Sequence, residues 1–294
     1  MSNRLNWERD GRDWPHRAAS RFIQADGLRW HVQVIGSGPA VLLIHGTGAS
    51  AHSWRTMAPV LAERCTVVAP DLPGHGFTGA PRSPAGYSLP GVARGMTALL
   101  GALGISPVLV AGHSAGAAVA ARMCLDGTIS PAAVVSLNGA LLPFPGMTND
   151  FFGPAARLLA SSSLAARAVT LFAGSRPSVE RLLRSTGSRI DPEGQRLYAR
   201  LVANPGHVQG ALALMANWDL RPLVRDLPRL ATRLVLVTGS NDGMVPSGEA
   251  YRVRALVPKA ELFSLRGLGH LAHEERPDEI IALLNRLLPQ DPSR

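Results

Sequence analysis

The sequence predicts an α/β fold with a mostly parallel central sheet, flanked by helices and carrying an inserted helical cap. Continuous apolar runs of strand length alternate with helix-length segments, a pattern typical of parallel strands that are covered on both faces. A long stretch at about residues 143–217 interrupts this alternation with a helical pattern rich in Ala, Leu and Arg. An insertion of this kind stands at the carboxyl ends of the strands, where open α/β folds bind ligands.

The individual strands and helices follow from runs that end in polar or glycine-containing loops. The pair Asp26-Gly27 between two apolar stretches predicts a hairpin with a tight turn. Continuous runs predict five parallel strands at residues 40–44, 65–69, 107–111, 132–137 and 233–238, and a further strand at 260–265. Helices are predicted at residues 53–63, 89–103 and 115–125, with an amphipathic closing helix at 278–288.

This pattern divides the chain into an arm, a core and a cap. Residues 1–19 are the N-terminal arm, residues 20–142 and 218–294 the α/β core, and residues 143–217 the helical cap. The arm holds Trp7 and Trp14 among charged residues. Aromatic side chains in such an arm favour docking onto the body of the same chain, and binding of a partner is the alternative.

The composition is that of a globular domain. With 46% hydrophobic and 17% charged residues in a chain of 294, a disordered protein and a coiled coil are both excluded. No apolar run reaches the ~18 residues of a membrane-spanning helix, and the polar N-terminus does not resemble a signal peptide. Cys65 and Cys124 provide neither a disulfide framework nor a zinc site, which favours a reducing compartment and a cytoplasmic location.

The net charge of +9 is carried almost entirely by arginine. Lys259 is the only lysine among 30 basic residues, which leaves 29 arginines and is typical of a GC-rich genome. The arginines are scattered along the chain, which argues against a nucleic-acid partner. A ligand that bears carboxylates, or a peripheral contact with an anionic membrane surface, is compatible with this charge.

The segment Gly112-His113-Ser114-Ala115-Gly116 matches the G-x-S-x-G nucleophile elbow. An apolar strand leads into the motif and an Ala-rich helix follows it directly, which is the context that an elbow requires. Small neighbours are needed because the serine lies in a strained turn, and the helix dipole favours a developing anion there. We therefore expect Ser114 to be a nucleophile; an ordinary glycine-rich turn between strand and helix is the alternative.

Two loops are expected to form an oxyanion hole. The segment His45-Gly46-Thr47-Gly48 follows the first parallel strand, where a loop supplies one backbone N–H, and the residue after the nucleophile supplies the other. The expected donors are therefore Thr47 and Ala115, with His45 and Gly46 supporting the loop. A loop that uses glycine only for its turn is the alternative.

The acid and the base are expected at the ends of two later strands. Asp242 follows the strand at 233–238, and it is preferred because the strand at 132–137 ends in the uncharged Asn138. His270 follows the strand at 260–265, within reach of Asp242; its competitor, His273, is expected to orient the loop. Ser114, Asp242 and His270 form the predicted catalytic triad, for which neither a metal nor an organic cofactor is implied.

Three further residues are expected to support the site from outside the reacting atoms. Asp71 opens the turn Asp71-Leu72-Pro73-Gly74-His75-Gly76 after the second parallel strand, and its carboxylate should tie down backbone N–H groups of that loop. His75 should pack beneath the site. His113 precedes the nucleophile and should point to the opposite side of the elbow.

These motifs in this order resemble the α/β-hydrolase superfamily over about residues 20–290. The resemblance is carried by His45-Gly46, Asp71-x-Pro-Gly-His-Gly, Gly112-x-Ser114-x-Gly, Asp242 and Gly269-His270. It implies the α/β-hydrolase fold. Haloalkane dehalogenases and epoxide hydrolases resemble this fold but attack through a carboxylate, so the serine in the elbow disfavours both activities.

A narrower likeness points to the magnesium-chelatase accessory proteins of bacteriochlorophyll biosynthesis. It is carried by Asp-Trp-Pro at 13–15, Ala-Ser-Arg-Phe at 19–22, Trp-His-Val-Gln at 30–33, His-Gly-Thr-Gly-Ala-Ser at 45–50, His-Ser-Trp at 52–54 and Pro-Asp-Leu-Pro-Gly-His-Gly-Phe-Thr at 70–78. The likeness covers the N-terminal third well and the cap only loosely. It implies a purple phototrophic bacterium, photosynthesis, and a substrate or partner in tetrapyrrole metabolism, with magnesium chelatase as a candidate partner, but it fixes no reaction.

The sequence supports two functions of different classes. The first is a serine hydrolase that acts on an ester, a thioester or a lactone. The second is a non-catalytic porphyrin-binding protein or chelatase assembly factor that retains the fold. The intact set of Ser114, His270 and Asp242 favours the hydrolase.

The cap is expected to select a large apolar ligand that carries carboxylates, such as a tetrapyrrole. Its basic residues are Arg157, Arg167, Arg176, Arg181, Arg184, Arg189, Arg196 and Arg200, against the acidic Asp150, Glu180, Asp191 and Glu193. Its apolar residues include Phe151, Phe152, Leu158, Leu159, Leu164, Leu171, Phe172, Leu182 and Leu183. A solvated arginine-rich face, a membrane contact and a fatty acyl ligand are the alternatives.

Overall fold

An eight-stranded sheet forms the centre of the computed structural model, which describes residues 4–143 and 163–288. The strands are β1 Ser20–Ala25, β2 Leu28–Ile35, β3 Ala40–Ile44, β4 Thr66–Pro70, β5 Leu109–His113, β6 Ala133–Leu137, β7 Arg233–Gly239 and β8 Glu261–Leu265. Their order across the sheet is β1-β2-β4-β3-β5-β6-β7-β8. β2 pairs antiparallel with β1 and β4, and every pairing from β4 to β8 is parallel. The mostly parallel sheet that the sequence predicts is confirmed.

The predicted hairpin is also confirmed. β1 and β2 pair up to Ala25 and Leu28, so Asp26 and Gly27 form a two-residue turn. Both turn residues have positive φ, 47° at Asp26 and 71° at Gly27. Asp-Gly suits this turn because aspartate tolerates the left-handed region and glycine adopts it without a steric penalty.

Helices cover both faces of the sheet and form the inserted segment. The α-helices within the described ranges are Trp7–Asp10, Met57–Leu61, Leu89–Leu103, Ala115–Leu125, Ser163–Ala173, Arg176–Ser185, Pro192–Val202, Pro205–Ala216, Arg221–Asp226, Gly248–Leu256, Ala272–Glu275 and Pro277–Leu287. Short 3₁₀ turns lie at Arg17–Ala19, Ala51–Trp54, Pro84–Tyr87 and Leu227–Arg229.

The helix expected at residues 53–63 is the main departure from the sequence prediction. It is split into the 3₁₀ turn Ala51–Trp54 and the short α-helix Met57–Leu61. Pro59 explains the split, because proline in a helix interior removes a backbone hydrogen bond and clashes with the preceding turn. Starting the α-helix at Met57 places Pro59 in the first turn, where its missing N–H has no intrahelical acceptor to lose.

Neighbouring residues of the central strands point to opposite faces of the sheet, and both faces are buried. Leu42, Val110 and Val134 pack into the core beneath the helices Leu89–Leu103 and Ala115–Leu125. The alternate residues of the same strands, which include Leu43, Leu109 and Val135, belong to the second core. The helices Met57–Leu61 and Pro277–Leu287 cover that second core. This two-sided burial explains why the strands appear in the sequence as continuous apolar runs.

In the described part of the segment predicted as the cap, between β6 and β7, the α-helices are Ser163–Ala173, Arg176–Ser185, Pro192–Val202 and Pro205–Ala216. The last three each begin with a side chain that accepts a hydrogen bond from the first helical turn, Ser175, Asp191 and Asn204 respectively. Residues 144–162, which include the predicted ligand contacts Phe151, Phe152, Arg157, Leu158 and Leu159, lie outside the described residues. The boundaries of the cap at 143 and 217 stay a prediction.

The N-terminal arm packs onto the body of the same chain. Trp14 is 2% exposed and lies in an apolar cluster with Phe77 and with Leu197 and Leu201 of the helix Pro192–Val202. Asp13 pairs with Arg196 at 2.7 Å and with Arg200 at 2.7 Å. The arm therefore contacts core and cap together.

Cys65 and Cys124 are free, and burial raises the pKa of each thiol to about 11. Within residues 4–143 and 163–288, no helix is long and apolar enough to cross a membrane.

Candidate active site

Ser114 lies in the sharp turn between β5 and the helix Ala115–Leu125. Its φ of 50° and ψ of −117° place it in a conformation that a residue with a side chain adopts only when surrounding contacts hold it there. One such contact is the hydrogen bond from its backbone N–H to Leu137 O of β6, at 3.0 Å. The structure thus has the strained strand-to-helix turn that the motif predicts.

Glycines allow neighbouring backbone segments to approach this turn. A Cβ atom at Gly112 would lie 2.5 Å from the backbone at Gly116, and one at Gly116 would lie 2.2 Å from Ile44 O. A Cβ atom at Gly46 would lie 2.9 Å from the Cβ of Ser114. Because real Cβ atoms do not approach other atoms this closely, the turn and the loop after β3 can pack together only with glycine at these positions.

The loops after β7 and β8 bring Asp242 and His270 together. His270 Nδ1 lies 2.9 Å from Asp242 Oδ2. The Asp242 side chain is fully buried, and that of His270 is 10% exposed. A carboxylate oxygen only accepts hydrogen bonds, so the Nδ1 of His270 is the donor in this contact, which leaves Nε2 as the nitrogen that can take a proton. The structure therefore pairs Asp242 with His270 and not with His273.

The Asp242 carboxylate is held in its ionised form. Its Oδ1 accepts hydrogen bonds from the backbone N–H groups of Met244 and Val245, each at 2.8 Å. Burial alone would raise the pKa of Asp242, but the contact with His270 and the hydrogen bonds from Val245 and Asn138 lower it below its usual value. The aspartate is consequently negative at neutral pH.

Asn138 is a site residue that the sequence did not reveal. Its Nδ2 donates to Asp242 Oδ2 at 2.8 Å and lies 3.3 Å from Gly269 O, so one amide holds both the acid loop and the base loop. Its backbone has a φ of 47°, in the left-handed region that asparagine tolerates better than most residues. Its place directly after β6, at the carboxyl edge of the sheet, is the signal in the sequence that points to it.

His113 lies behind the base loop. Its Nε2 donates to His270 O at 2.9 Å, and its ring centroid is 4.7 Å from that of His270. Burial lowers the pKa of His113 well below that of a free histidine, so the ring is neutral and has one donor. The predicted position on the opposite side of the elbow thus includes a contact with the base loop that the sequence did not indicate.

His273 faces away from Asp242. Its Nε2 lies 2.7 Å from Ser53 Oγ, and its ring is 4.5 Å from that of His113. Burial lowers the pKa of His273 to about 3, so it is neutral across the physiological range. The contact with Ser53 anchors the segment after His270 to the 3₁₀ turn Ala51–Trp54.

The loop after β3 is fixed by His45. Nδ1 of His45 donates to Gly46 O at 2.7 Å, and Nε2 accepts the backbone N–H of Leu72 at 2.8 Å. Both contacts require the neutral ring, and burial lowers the pKa of His45 accordingly.

Ala115 is the first residue of its helix, so its N–H has no intrahelical acceptor. Neither this N–H nor that of Thr47 is bonded to a backbone acceptor in the described loops and helix ends.

Asp71 has the backbone partners that the sequence predicts. Its Oδ1 accepts the N–H of Ala51 at 2.7 Å, and its Oδ2 accepts that of Phe77 at 2.9 Å. Its Oδ2 also lies 2.8 Å from His31 Nδ1. Burial by itself would raise the pKa of Asp71, but His31 and the backbone donors hold it well below its usual value. His75 packs nearby, its ring 5.6 Å from that of His45.

The arrangement has the parts that nucleophilic catalysis requires. A serine in a strained turn, a histidine oriented by a buried carboxylate and two free N–H groups lie at the carboxyl edge of one sheet. Ser114 Oγ and His270 Nε2 do not form a hydrogen bond in this structure, and this contact commonly closes only when substrate binds. Among the described residues, no group of three His, Cys, Asp or Glu side chains is arranged to hold a metal ion.

The chain is similar in sequence to several known proteins. It is 39% identical over 276 residues to the magnesium-chelatase 30 kDa subunit of Rhodobacter capsulatus, an alignment that covers 92% of this chain and 95% of that protein. It is 31% identical over 284 residues to an uncharacterized protein of Mycobacterium tuberculosis, covering 91% of this chain and 80% of the relative.

The fold is shared with solved structures of low sequence identity. A serine hydrolase involved in carbazole degradation superimposes with a TM-score of 0.73 at 21% identity and covers 91% of this chain and 97% of its own. A meta-cleavage product hydrolase superimposes with a TM-score of 0.73 at 22% identity and covers 92% and 97% respectively. Residues 39–277 match the profile of the family described as the alpha/beta hydrolase fold. The chain therefore belongs to the α/β-hydrolase family.

Proposed function

We propose that the protein is a serine hydrolase that cleaves an ester, a thioester or a lactone. The observation that carries the proposal is the pairing of a buried Asp242 with His270 at 2.9 Å, at the same sheet edge as the strained turn of Ser114. A carboxylate in this position fixes the imidazole tautomer in which Nε2 is free to take a proton.

The proposed reaction begins when Ser114 Oγ attacks the carbonyl carbon of the substrate. His270 Nε2 takes the hydroxyl proton as the C–O bond forms, and then returns it to the leaving alcohol or thiol. Asp242 holds the imidazole and stabilises the imidazolium ion. Water activated by His270 then attacks the acyl-enzyme, which releases the acid and restores Ser114.

The negative charge that develops on the carbonyl oxygen requires hydrogen-bond donors. The N–H groups of Thr47 and Ala115 are our candidates, because both lie beside the turn and neither is bonded to a backbone acceptor in the described loops. Preorganised donors act more strongly than water, and each contributes ~3 kcal/mol in a well-studied protease. The positive end of the helix Ala115–Leu125 adds to this stabilisation.

We further propose that the substrate belongs to tetrapyrrole metabolism. The relative named as a magnesium-chelatase subunit supports this class of substrate or partner. In the cap, the exposed side chains of Arg167, Arg176, Arg181 and Arg189 form no ion pair with a carboxylate of the described residues. Guanidinium groups of this kind suit the carboxylates of a porphyrin.

The second candidate is a non-catalytic porphyrin-binding protein or chelatase assembly factor. Its support is the same relative, which is named as a subunit of magnesium chelatase and not as a hydrolase. The two candidates differ in the role of Ser114. A hydrolase needs the Oγ of Ser114, whereas a binding protein or assembly factor needs only the surface that contacts the porphyrin or the chelatase.

A panel of esters, thioesters and lactones, tested with the wild type and with Ser114→Ala, separates the two candidates. A hydrolase turns over at least one member of the panel and loses that turnover with the substitution. Protoporphyrin titrations followed by fluorescence quenching test the ligand class in parallel. Binding should be micromolar and should weaken with salt and in the double variant of Arg176→Ala with Arg181→Ala. A folded wild type that binds porphyrin and cleaves nothing would establish the second candidate.

A further inference from the structure

Main-chain groups of the cap form hydrogen bonds with the loops of the candidate active site. The segment between the helices Arg176–Ser185 and Pro192–Val202 lies against both loops that carry the acid and the base. Thr186 O accepts the backbone N–H of His270 at 3.0 Å and that of Gly243 at 3.1 Å. One carbonyl of the cap thus joins the base itself to the residue after Asp242.

A buried hydroxyl of the same segment makes the next contact. Ser188 is 2% exposed, and its Oγ accepts the backbone N–H of Leu271 at 2.8 Å. Two successive N–H groups of the base loop, those of His270 and Leu271, are therefore bound by the cap. Glu275 closes the arrangement, because its carboxylate accepts the N–H of Gly269 at 2.8 Å and that of Arg189 at 3.0 Å.

Glycines on both sides make this packing tight. A Cβ atom at Gly187 would lie 1.8 Å from Asn241 O, one at Gly243 would lie 2.4 Å from Ser185 O, and one at Gly269 would lie 2.3 Å from the Gly187 carbonyl carbon. Gly187 also has a φ of +80°. The backbones can approach to this distance only without side chains, so the position of the cap segment determines the separation of the two loops.

The cap also holds the loop that carries the candidate oxyanion donor. His207, on the helix Pro205–Ala216, is 2% exposed. Its Nε2 donates to Gly48 O at 3.1 Å, one residue after Thr47, and its Nδ1 accepts the N–H of Gly76 at 3.0 Å. A neutral imidazole satisfies both contacts, and burial lowers the pKa of His207 to about 4.

We infer that Ser188 and His207 are positioning residues, through which the seating of the cap sets the geometry of the base loop and of the oxyanion loop. The inference rests on the proposed serine-hydrolase function. Its consequence is that the cap contributes to the chemical step as well as to the choice of substrate. Displacements of about 1 Å in a catalytic group lower turnover by as much as about a hundredfold.

Turnover of a small activated ester such as p-nitrophenyl acetate tests the inference, because so small a substrate does not need the cap for binding. We expect Ser188→Ala to lower kcat by about tenfold with KM changed less than about twofold. His207→Leu should do the same, and His207→Gln, which retains a donor and an acceptor, should recover most of the loss. Ser185→Ala is the matched control, because Ser185 Oγ bonds only within its own helix, to Leu182 O.

A second measurement reports on the pairing without requiring turnover. The downfield proton NMR signal of His270 Nδ1–H, assigned by its loss in His270→Gln, should shift and broaden in Ser188→Ala but not in Ser185→Ala. Folded variants with wild-type kcat and an unchanged signal would overturn the inference. A wild type that cleaves no ester overturns the proposed function instead, and the signal then decides whether the cap positions His270.

Discussion

At the scale of single residues, Asn138 shows how the acid is oriented. Its amide and the His270 ring donate to the same oxygen of Asp242, at 2.8 and 2.9 Å. Without the amide, Oδ2 would keep only the His270 contact, and the carboxylate would otherwise be fixed only at Oδ1, by the N–H groups of Met244 and Val245. Asn138 therefore acts on the chemistry through Asp242.

Replacing Asn138 by glycine should lower kcat/KM by about tenfold or more, because a hydrogen bond to a charged group is worth about 1.5–3 kcal/mol. Glycine is the informative substitution, since it also tolerates the positive φ of this position. The substitution therefore adds no backbone strain, and the melting temperature should fall only through the loss of the amide's two contacts. A wild-type kcat/KM in the folded variant would show that Asp242 Oδ2 needs no donor besides His270.

The two histidines of the base loop should respond very differently to alanine. His270→Ala should lower turnover by about 10³-fold or more, because only the oxyanion donors and substrate binding would remain. His273→Ala should have a much smaller effect on kcat and should mainly lower stability, since it removes the contact with Ser53. The test is kcat and the melting temperature of both variants, and a larger loss of kcat in His273→Ala would contradict the assignment of the base.

The sequence was sufficient to find residues whose role follows from position along the chain. Ser114, Asp242 and His270 each follow an apolar run, and the carboxyl ends of parallel strands meet at one edge. It was insufficient for contacts between distant segments. Asn138 is 104 residues from Asp242, and only the register of β6 beside β7 makes them neighbours.

At the scale of secondary-structure elements, a buried network joins the cap to the core. Glu274 accepts hydrogen bonds from Arg55 at 2.5 Å, Ser53 at 2.7 Å and Tyr198 at 2.8 Å. Arg55 also pairs with Asp191, at the start of the helix Pro192–Val202, at 2.6 Å. Glu274 follows His273 directly, and Asp191 precedes the helix Pro192–Val202. Arg55 therefore links the base loop to this cap helix, because it pairs with both carboxylates.

Arg55→Met should destabilise the protein by about 3–5 kcal/mol, because it leaves the Glu274 carboxylate buried without its cation. Tyr198→Phe removes only one of three donors and should cost about 1 kcal/mol. The measurement is the free energy of unfolding in urea. Equal effects of the two substitutions would show that the network is held by hydrogen bonding alone and that the ion pair contributes nothing.

Elements were predicted well where hydrophobic pattern and length agreed, as in the helices Leu89–Leu103 and Ala115–Leu125. The prediction of one helix at residues 53–63 was wrong. The helical spacing of its apolar residues continues through Pro59, but a proline in a helix interior breaks the helix. The contacts of Thr186 O and Ser188 Oγ with the base loop could not be foreseen at all. They depend on main-chain groups and glycines, and these carry no pattern that marks their partners.

At the scale of the whole molecule, the buried histidines make stability depend on pH. Burial lowers the pKa of six of the nine histidines: His45, His52, His75, His113, His207 and His273. Four of them have a ring nitrogen without a hydrogen-bond partner in the described structure, namely His52, His75, His113 and His273. Protonation would place a charge on such a nitrogen with nothing to solvate it.

The unfolded chain therefore binds more protons than the folded chain as the pH falls below about 6.5. The free energy of unfolding should be at its full value above this pH. It should decrease toward pH 4, by up to about 1.4 kcal/mol per pH unit for each histidine. Unfolding free energies in urea at pH 7.5 and 5.5 test this. His75→Gln should reduce the difference between the two unfolding free energies by about 1.4 kcal/mol. Equal stability of the wild type at both pH values would contradict the expectation.

The account as a whole depends on Ser114 being an activated nucleophile. Fluorophosphonates test this most directly, because the serine oxygen displaces fluoride from phosphorus and leaves a permanent mass increase on the protein. Intact-mass and peptide mapping should locate one adduct, on Ser114, with no adduct in Ser114→Ala and a labelling rate at least about a hundredfold lower in His270→Ala. A folded wild type that acquires no adduct, or an adduct on a different residue, would contradict the proposed function.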